Sequence, residues 1–117
     1  MKPTNLDITD FGARDDGRDC TAAIQAAINA AAKVQGRVVV PAGTFLCGEL
    51  HLRPGVAIEG HAAWSFRAGQ GSILRLNNPE APCLLNLTGA FGAVVANLNL
   101  HGGDLEGSRG HGIMIDK

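Results

Sequence analysis

The chain has 117 residues and a formal net charge of −1, which is enough material for one domain with a modest core. A nucleic-acid binder normally has a basic stripe, and this near-neutral charge argues against one. No stretch of the sequence approaches the roughly 18 apolar residues of a membrane span. We therefore expect neither nucleic acid nor a membrane as a partner.

Glycine, aromatic residues and cysteine are the informative parts of the composition. Glycine accounts for 16 residues, while aromatic residues make up only 4%, so we expect an aliphatic core and many tight turns. Cys20, Cys47 and Cys83 are far apart in the sequence and odd in number. They match neither a disulfide framework nor a zinc site, and we interpret them as small buried thiols.

The N-terminal third predicts a strand, a loop and one helix. Leu6 and Ile8 alternate with polar residues, as in a short strand, and residues 10–19 are polar and contain glycine, as in a loop. Residues 21–34 are rich in alanine and carry apolar side chains at three- and four-residue spacing. This pattern predicts an amphipathic helix with a narrow apolar stripe.

The ends of this helix also have sequence signals. Asp19 or Thr21 is expected to supply the oxygen that caps its first turn, and Gly36 is expected to take the left-handed position beyond its last turn. Because the apolar stripe consists of small side chains, we expect the helix to lie close against a flat surface.

Short strands are predicted from residue 37 onward. Residues 38–40 are three valines, followed by a Pro-Ala-Gly turn signal. Large apolar residues then recur two positions apart, and turn residues separate these pairs. The pairs are Leu50 and Leu52, Val56 and Ile58, Leu74 and Leu76, Leu85 and Leu87, Leu98 and Leu100, and Ile113 and Ile115.

Many short strands with regular turn signals are typical of a sandwich, a barrel or a β-solenoid. Two-residue hairpins favour Asn-Gly or Asp-Gly, yet the chain has no Asn-Gly, and its single Asp-Gly precedes the predicted helix. The pattern therefore favours a solenoid whose strands stack in parallel, with the helix covering the first coil.

Five segments in the first half of the chain resemble the opening of pectate-lyase-superfamily proteins. They are DITDFGA (7–13), DDG (15–17), TAAIQAAI (21–28), GRVVVPAGTF (36–45) and LHLRPGVAIEG (50–60). That superfamily includes polygalacturonases of glycoside hydrolase family 28, related lyases and epimerases, and some phage tailspikes. The resemblance implies an all-β fold, a right-handed parallel β-helix with one N-terminal capping helix.

The same resemblance implies a domain organisation. We expect a single β-helix domain over residues 1–117, with the first strand and the capping helix in 1–36 and about three or four coils in 37–117. Because such proteins usually run to several hundred residues, we expect the N-terminal portion of a longer protein. Its last coil would expose an apolar end that a continuation or a second copy covers, so a homo-oligomer is expected there.

The sequence does not assign the protein to a cellular compartment. No apolar stretch follows Lys2, so no signal peptide is expected, although proteins of the resembled family are often exported.

A Gly-His-Gly string at residues 110–112 is similar to a motif that lies beside the catalytic aspartates of polygalacturonases. In those enzymes an Asn-Thr-Asp and an Asp-Asp accompany the motif. This chain has no Asn-Thr-Asp, and its only Asp-Asp, Asp15-Asp16, precedes the helix. His111 therefore lacks its partners, and we interpret it as a histidine at the start of a strand, with a catalytic role as the alternative.

A polar cluster lies between the last two predicted strands. Asp104 and Glu106 are candidate catalytic carboxylates together with His111, and His101 and Arg109 are candidate substrate-binding residues. Such a set suits a uronate or an oxygen-ligated cation, and the family resemblance allows calcium. No other metal and no organic cofactor is predicted. The alternative is a solvated polar loop.

Four further side chains need an interpretation. Trp64 could stack against a sugar ring or pack over a coil as a plug. Arg67 and Arg75, like Arg109, could stabilise negative charge in a β-elimination, although no spacing singles any of them out. His51 lies between Leu50 and Leu52, so it is expected on the outer face of that strand, with a structural role.

Two functional hypotheses follow. The first is the N-terminal portion of a polysaccharide-degrading protein, similar to a pectate lyase or a polygalacturonase, which acts on uronate-rich glycans but lacks a complete active site here. The alternative is a non-catalytic structural or glycan-binding β-helix module that self-associates, as tailspikes do. Whether the chain is an enzyme remains open, since fold alone does not decide function.

Overall fold

The computed structural model describes residues 5–61, 71–78, 81–101 and 111–114. These residues form ten short strands, one short 3-10 helix and one α-helix. They are β1 (Asn5–Asp7), the 3-10 helix (Ile8–Phe11), α1 (Thr21–Val34), β2 (Arg37–Val39), β3 (Gly43–Cys47), β4 (Leu50–His51), β5 (Ala57–Glu59), β6 (Ser72–Leu76), β7 (Cys83–Asn86), β8 (Val94–Ala96), β9 (Leu98–His101) and β10 (His111–Met114).

The strands form three sheets in which every pairing is parallel. Sheet I has the order β1-β2-β5-β8, sheet II the order β3-β6-β9, and sheet III the order β4-β7-β10. From β2 onward the chain visits sheets I, II and III in turn and then returns to sheet I. This is the path of a parallel β-helix, and it confirms the predicted parallel stacking of strands.

The register of the sheets stacks apolar side chains into columns. The columns join Val38, Ile58 and Val95 in sheet I, Phe45, Leu74 and Leu100 in sheet II, and Leu50, Leu85 and Ile113 in sheet III. In the first two members of each column the side chain is at most 2% exposed. Strand side chains alternate between two faces, so the apolar pairs in the sequence correctly predict the inward face.

Helix α1 has the predicted bounds and packs on the first coil. Its apolar stripe is fully buried and consists of Ile24, Ala27, Ile28 and Ala31. The helix contacts β1, β2 and β4, and the small alanines let it lie close to these strands. No helix in the described ranges has both the length and the apolar character needed to cross a membrane.

The prediction for the start of the helix was wrong. Cys20 occupies the capping position and makes no side-chain capping bond. The Asp19 carboxylate instead accepts hydrogen bonds from the Thr21 hydroxyl (2.6 Å) and the Asn77 amide (2.8 Å). The Thr21 hydroxyl in turn accepts from the Gly48 N–H (2.8 Å). Both side chains therefore join the helix to the neighbouring coils.

Two other local predictions need correction. Gln35, with φ 51°, takes the left-handed position at the end of α1, and Gly36 follows it. Ile8 was expected in a strand, but β1 ends at Asp7 and the 3-10 helix begins at Ile8. The Asp7 carboxylate accepts the Thr9 N–H at 2.8 Å, which turns the chain, while Ile8 remains fully buried.

A buried serine joins successive coils at the corner between sheets I and II. The Ser72 hydroxyl donates to the Val40 carbonyl (2.6 Å) and accepts from the His61 N–H (2.7 Å). Gly60 passes so close that a Cβ there would lie 2.5 Å from the Ser72 Cβ and 2.6 Å from the Leu98 Cδ2. The coils can approach at this corner because residue 60 has no side chain.

Candidate functional site

Two residues of the predicted polar cluster are described, one in sheet II and one in sheet III. His101 is the last residue of β9 and is exposed, and His111 is the first residue of β10. Asp104, Glu106 and Arg109 lie outside the described residues, as do Trp64 and Arg67. The structure therefore places the two histidines at either end of the interval that contains the candidate carboxylates.

His101 lies beside an arginine in sheet II. It is the register partner of Arg75 on β6, and neighbouring strands are about 4.8 Å apart. Arg75 alternates with the buried Leu74 and Leu76, so it belongs to the outer face of the sheet. A guanidinium and an imidazole on adjacent strands can both donate hydrogen bonds to a carboxylate.

His111 lies beside a cysteine in sheet III. It is the register partner of Cys83 on β7, whose side chain is fully buried and whose thiol contacts the Glu49 Oε2 at 3.5 Å. Burial raises the pKa of Cys83 to about 11, and the hydrogen bond to Glu49 and its charge act in the same direction. The thiol is therefore protonated at neutral pH, which makes it a donor and a poor nucleophile.

Glu49 is the centre of a polar group on sheet III. Its Oε2 accepts from the Asn86 amide at 2.9 Å, and its Oε1 lies 3.6 Å from the His51 Nε2. The Asn86 side-chain oxygen Oδ1 accepts the Thr88 N–H at 2.9 Å. His51 is exposed, as predicted for the outer face. We call Glu49, His51, Cys83 and Asn86 the Glu49 group.

The chemistry open to the Glu49 group is limited. Glycoside hydrolysis generally needs two carboxyl groups about 5–9.5 Å apart. The contacts of Glu49 in the described part of the chain are with an amide, a thiol and an imidazole. A carboxylate with these donors can hold a structure or position a ligand, and acid-base hydrolysis would need a second carboxylate beyond these contacts.

Three aspartates near the N-terminus, Asp7, Asp16 and Asp19, have structural partners. Partial burial alone would raise the pKa of Asp19, but hydrogen bonds from Thr21 and Asn77 outweigh it, so the pKa of Asp19 falls below its ordinary value. Asp16 forms an ion pair with Arg18 at 3.4 Å, and Asp7 caps the 3-10 helix.

A metal site does not emerge from the described ranges. No group of three His, Cys, Asp or Glu side chains there is arranged to hold an ion. Asp104 and Glu106, the carboxylates considered for a cation such as the calcium that the family resemblance allows, lie outside these ranges.

Sequence reasoning missed the Glu49 group and the contact of α1 with β4. In that contact the Gln25 side-chain amide donates to the His51 carbonyl (2.9 Å) and accepts the His51 N–H (2.8 Å). The partners are 26 residues apart, beyond the reach of local patterns. The one available signal was the Leu-Asn-Leu string, because Asn86 is its outward-facing member.

Comparison with known proteins supports the fold and identifies the family. Residues 5–69 match the family described as "Rhamnogalacturonase A/epimerase, pectate lyase-like". The structure is also similar to a Yersinia enterocolitica family 28 exopolygalacturonase, with a TM-score of 0.57 and 30% sequence identity over 73% of this chain. The match spans only 17% of that enzyme.

No curated protein gives a significant match. The family match covers more than half of the chain and includes β1, α1 and β2 to β5, the region whose sequence resembles pectate-lyase-superfamily proteins. The chain therefore belongs to the pectate lyase-like family of rhamnogalacturonase A and epimerase.

Proposed function

We propose that this chain is the N-terminal portion of a β-helix protein that acts on uronate-rich polysaccharide, in the manner of a polygalacturonase or pectate lyase. The observation that carries the proposal is the family match over residues 5–69. The similarity to the exopolygalacturonase adds support, and its extent, 17% of that enzyme, is the reason to propose a portion of a larger β-helix.

The glycan would bind on the outer face of sheet II where it adjoins sheet III. Arg75 and His101 are register partners there, and a uronate carboxylate matches the donors of an arginine and an imidazole. Arg109 would add a second guanidinium from the residues that follow β9. Trp64 remains our candidate for stacking against a sugar ring.

This portion would bind the glycan without completing its cleavage. The sequence has no Asn-Thr-Asp, and its only Asp-Asp precedes α1, whereas inverting or retaining hydrolysis requires a pair of carboxyl groups. Asp104 and Glu106, with His111, are the remaining residues that could supply acid and base from the interval between β9 and β10.

A binding experiment tests the proposed surface. Calorimetric titration with oligogalacturonate and rhamnogalacturonan fragments should give saturable binding that weakens with added salt, because the contact is ionic. Replacing both Arg75 and His101 by glutamine should reduce affinity at least tenfold, whereas His51→Gln, an exposed histidine on sheet III, should not. Equal binding of a neutral glucan, or unchanged affinity in the double variant, would contradict the proposal.

An activity screen tests the incomplete site. We expect no product from polygalacturonate, pectin or alginate, with or without calcium, by ultraviolet absorbance for lyase products or by a reducing-end assay for hydrolysis. Turnover that disappears in His111→Ala or in the Asp104→Ala/Glu106→Ala double variant would place a complete active site at residues 101–111.

A second candidate function, a self-associating structural module, is favoured by one observation. The outermost described strands, β8, β9 and β10, carry the last members of the apolar columns, of which Val95 and Leu100 are only partly buried and Ile113 is 43% exposed. We propose that two copies meet at this end. Light scattering should show association that increases with concentration and is lost in Ile113→Asp, whereas Val34→Asp at the end of α1 should retain it. A monomer at every concentration would exclude this function.

A further inference from the structure

Cys20 and Cys47 are 27 positions apart in the sequence but are neighbours in the fold. Asp19 forms a parallel bridge with Leu46, and the Cys20 N–H donates to the Leu46 carbonyl at 2.7 Å. Cys20 and Cys47 each follow this bridge by one residue. Cys20 directly precedes α1 (φ −109°, ψ 9°) and Cys47 is the last residue of β3, so the bridge brings their backbones close together without a strand pairing at this level.

Both side chains enter the same core. Cys20 is 2% exposed and Cys47 is fully buried, and both belong to the apolar cluster beneath α1. The bridge one residue earlier holds the two backbones at the strand spacing of about 4.8 Å, and disulfides form at Cα separations of roughly 4.4–6.8 Å. The reduced Cys20 thiol lies 3.3 Å from the Arg14 carbonyl, so rotation about χ1 is needed to turn it toward Cys47.

We propose that Cys20 and Cys47 form a disulfide when the protein folds in an oxidising medium, and that this bond fastens the start of α1 to the end of β3. The oxidant is a small-molecule disulfide such as oxidised glutathione. One cysteine thiolate attacks it and releases one glutathione, and the second cysteine then attacks the mixed disulfide and releases the other. The two cysteines lose two electrons and two protons, and the oxidant becomes two thiols.

Folding is the stage at which the bond would form. Burial raises the pKa of Cys47 to about 12, and the charges of Asp19 and Cys20 act in the same direction. Because the thiolate is the attacking species, this thiol is almost unreactive at neutral pH once it is enclosed. During folding both thiols are still accessible, and the pairing of residues 19 and 46 brings them together.

Cys83 provides an internal control. It is also buried, but it lies on sheet III and contacts Glu49. Trypsin separates the three cysteines into peptides 19–33, 38–67 and 76–109, because cleavage does not occur at the Arg53-Pro54 bond. Mass spectrometry of a digest can therefore assign any disulfide without ambiguity.

The test is refolding of the full chain at pH 8 from denaturant, with reduced and oxidised glutathione. We expect the three free thiols to fall to one, a link between peptides 19–33 and 38–67, and Cys83 unmodified. The same link should form in Cys83→Ser. The oxidised protein should melt roughly 5–15 °C higher than the reduced protein, because the bond restricts the unfolded chain.

Three results would overturn the proposal. They are three thiols after refolding, glutathione attached separately to Cys20 and Cys47, and a bond that includes Cys83. Cys20→Ala and Cys47→Ala should each prevent the link. Since either variant could also fold poorly, the peptide map of the wild-type protein is the decisive measurement.

Discussion

The two ends of the β-helix are built differently. At the first end α1 lies on the first coil, and its stripe is completely buried together with Val38 and Leu50 beneath it. At the other end the last members of the columns are less covered, since Val95 and Leu100 are only partly buried and Ile113 is 43% exposed. The same inward-facing columns therefore pass from full burial to exposure along the solenoid.

This difference shows what covering an end requires. Apolar columns need a cover, and the backbone groups of the first strands need hydrogen-bond partners. Helix α1 supplies both, because its stripe packs on the columns and Gln25 bonds to both backbone groups of His51. The Gln25 amide thus acts on β4 as the peptide group of an additional strand would.

The largest expected contrast is between equivalent truncations at the two ends. Ile28→Ala should lower the free energy of unfolding by about 2–5 kcal/mol, because a fully buried side chain leaves a cavity. Ile113→Ala, at 43% exposure, should cost less than about 1 kcal/mol. Urea unfolding of both variants measures the contrast, and equal losses would show that the far end is as well covered as the first.

A second contrast concerns the spacing of the coils. Gly60→Ala should destabilise by about 1–3 kcal/mol, because its Cβ would collide with Ser72 and Leu98. Gly48→Ala is the matched control, since the nearest side-chain atom to its Cβ lies at 3.7 Å, and a change within about 0.5 kcal/mol is expected. Thermal unfolding distinguishes the two variants. If Gly60→Ala did not lower the stability, the coils could move apart at the corner between sheets I and II.

The sequence predicted those parts of the fold that repeat locally. The bounds of α1 and the inward apolar pairs were correct because three- and four-residue spacing and strict alternation leave direct signals. The caps of α1 were not predictable in the same way. Asp19 and Thr21 suit a capping role by type, but contacts with Asn77 and Gly48 in later coils decide their orientation.

The candidate site likewise has features that local patterns predict and features that depend on contacts between distant residues. The outward position of His51 follows from alternation along its strand, whereas the contact between Glu49 and Asn86 joins residues 37 positions apart. Only the register of β4 on β7 brings them together. The placement of Arg75 beside His101 and of Cys20 beside Cys47 likewise depends on register, which no local pattern in this chain specified.

A smaller effect is expected where α1 covers the strand edge. Gln25→Ala removes both bonds to His51 and should cost about 1 kcal/mol. Asn29→Ala is the control, because Asn29 is exposed and its side chain accepts a hydrogen bond from Gln25 itself. Its free energy of unfolding should change by only about 0.3 kcal/mol. Hydrogen exchange should show faster exchange of the His51 amide in the first variant only, and unchanged protection would mean that Gln25 does not cover this edge.

The smallest effect is expected at low pH and concerns the hydrogen bonds of Asp19 between α1 and the neighbouring coils. The hydrogen bonds from Thr21 and Asn77 lower the pKa of Asp19 below its ordinary value of 3.8. A lowered pKa means that the unfolded chain binds the proton more readily, so this carboxylate stabilises the fold above pH 4 and loses that effect as the pH falls through its folded pKa. Asp19→Asn should therefore flatten the decline in urea midpoint below pH 4, and Asn77→Ala should do so in part. If the urea midpoint of Asp19→Asn declined as steeply as that of the wild type, other carboxylates would govern the acid response. The contacts of residue 19 would then hold the helix without help from the charge.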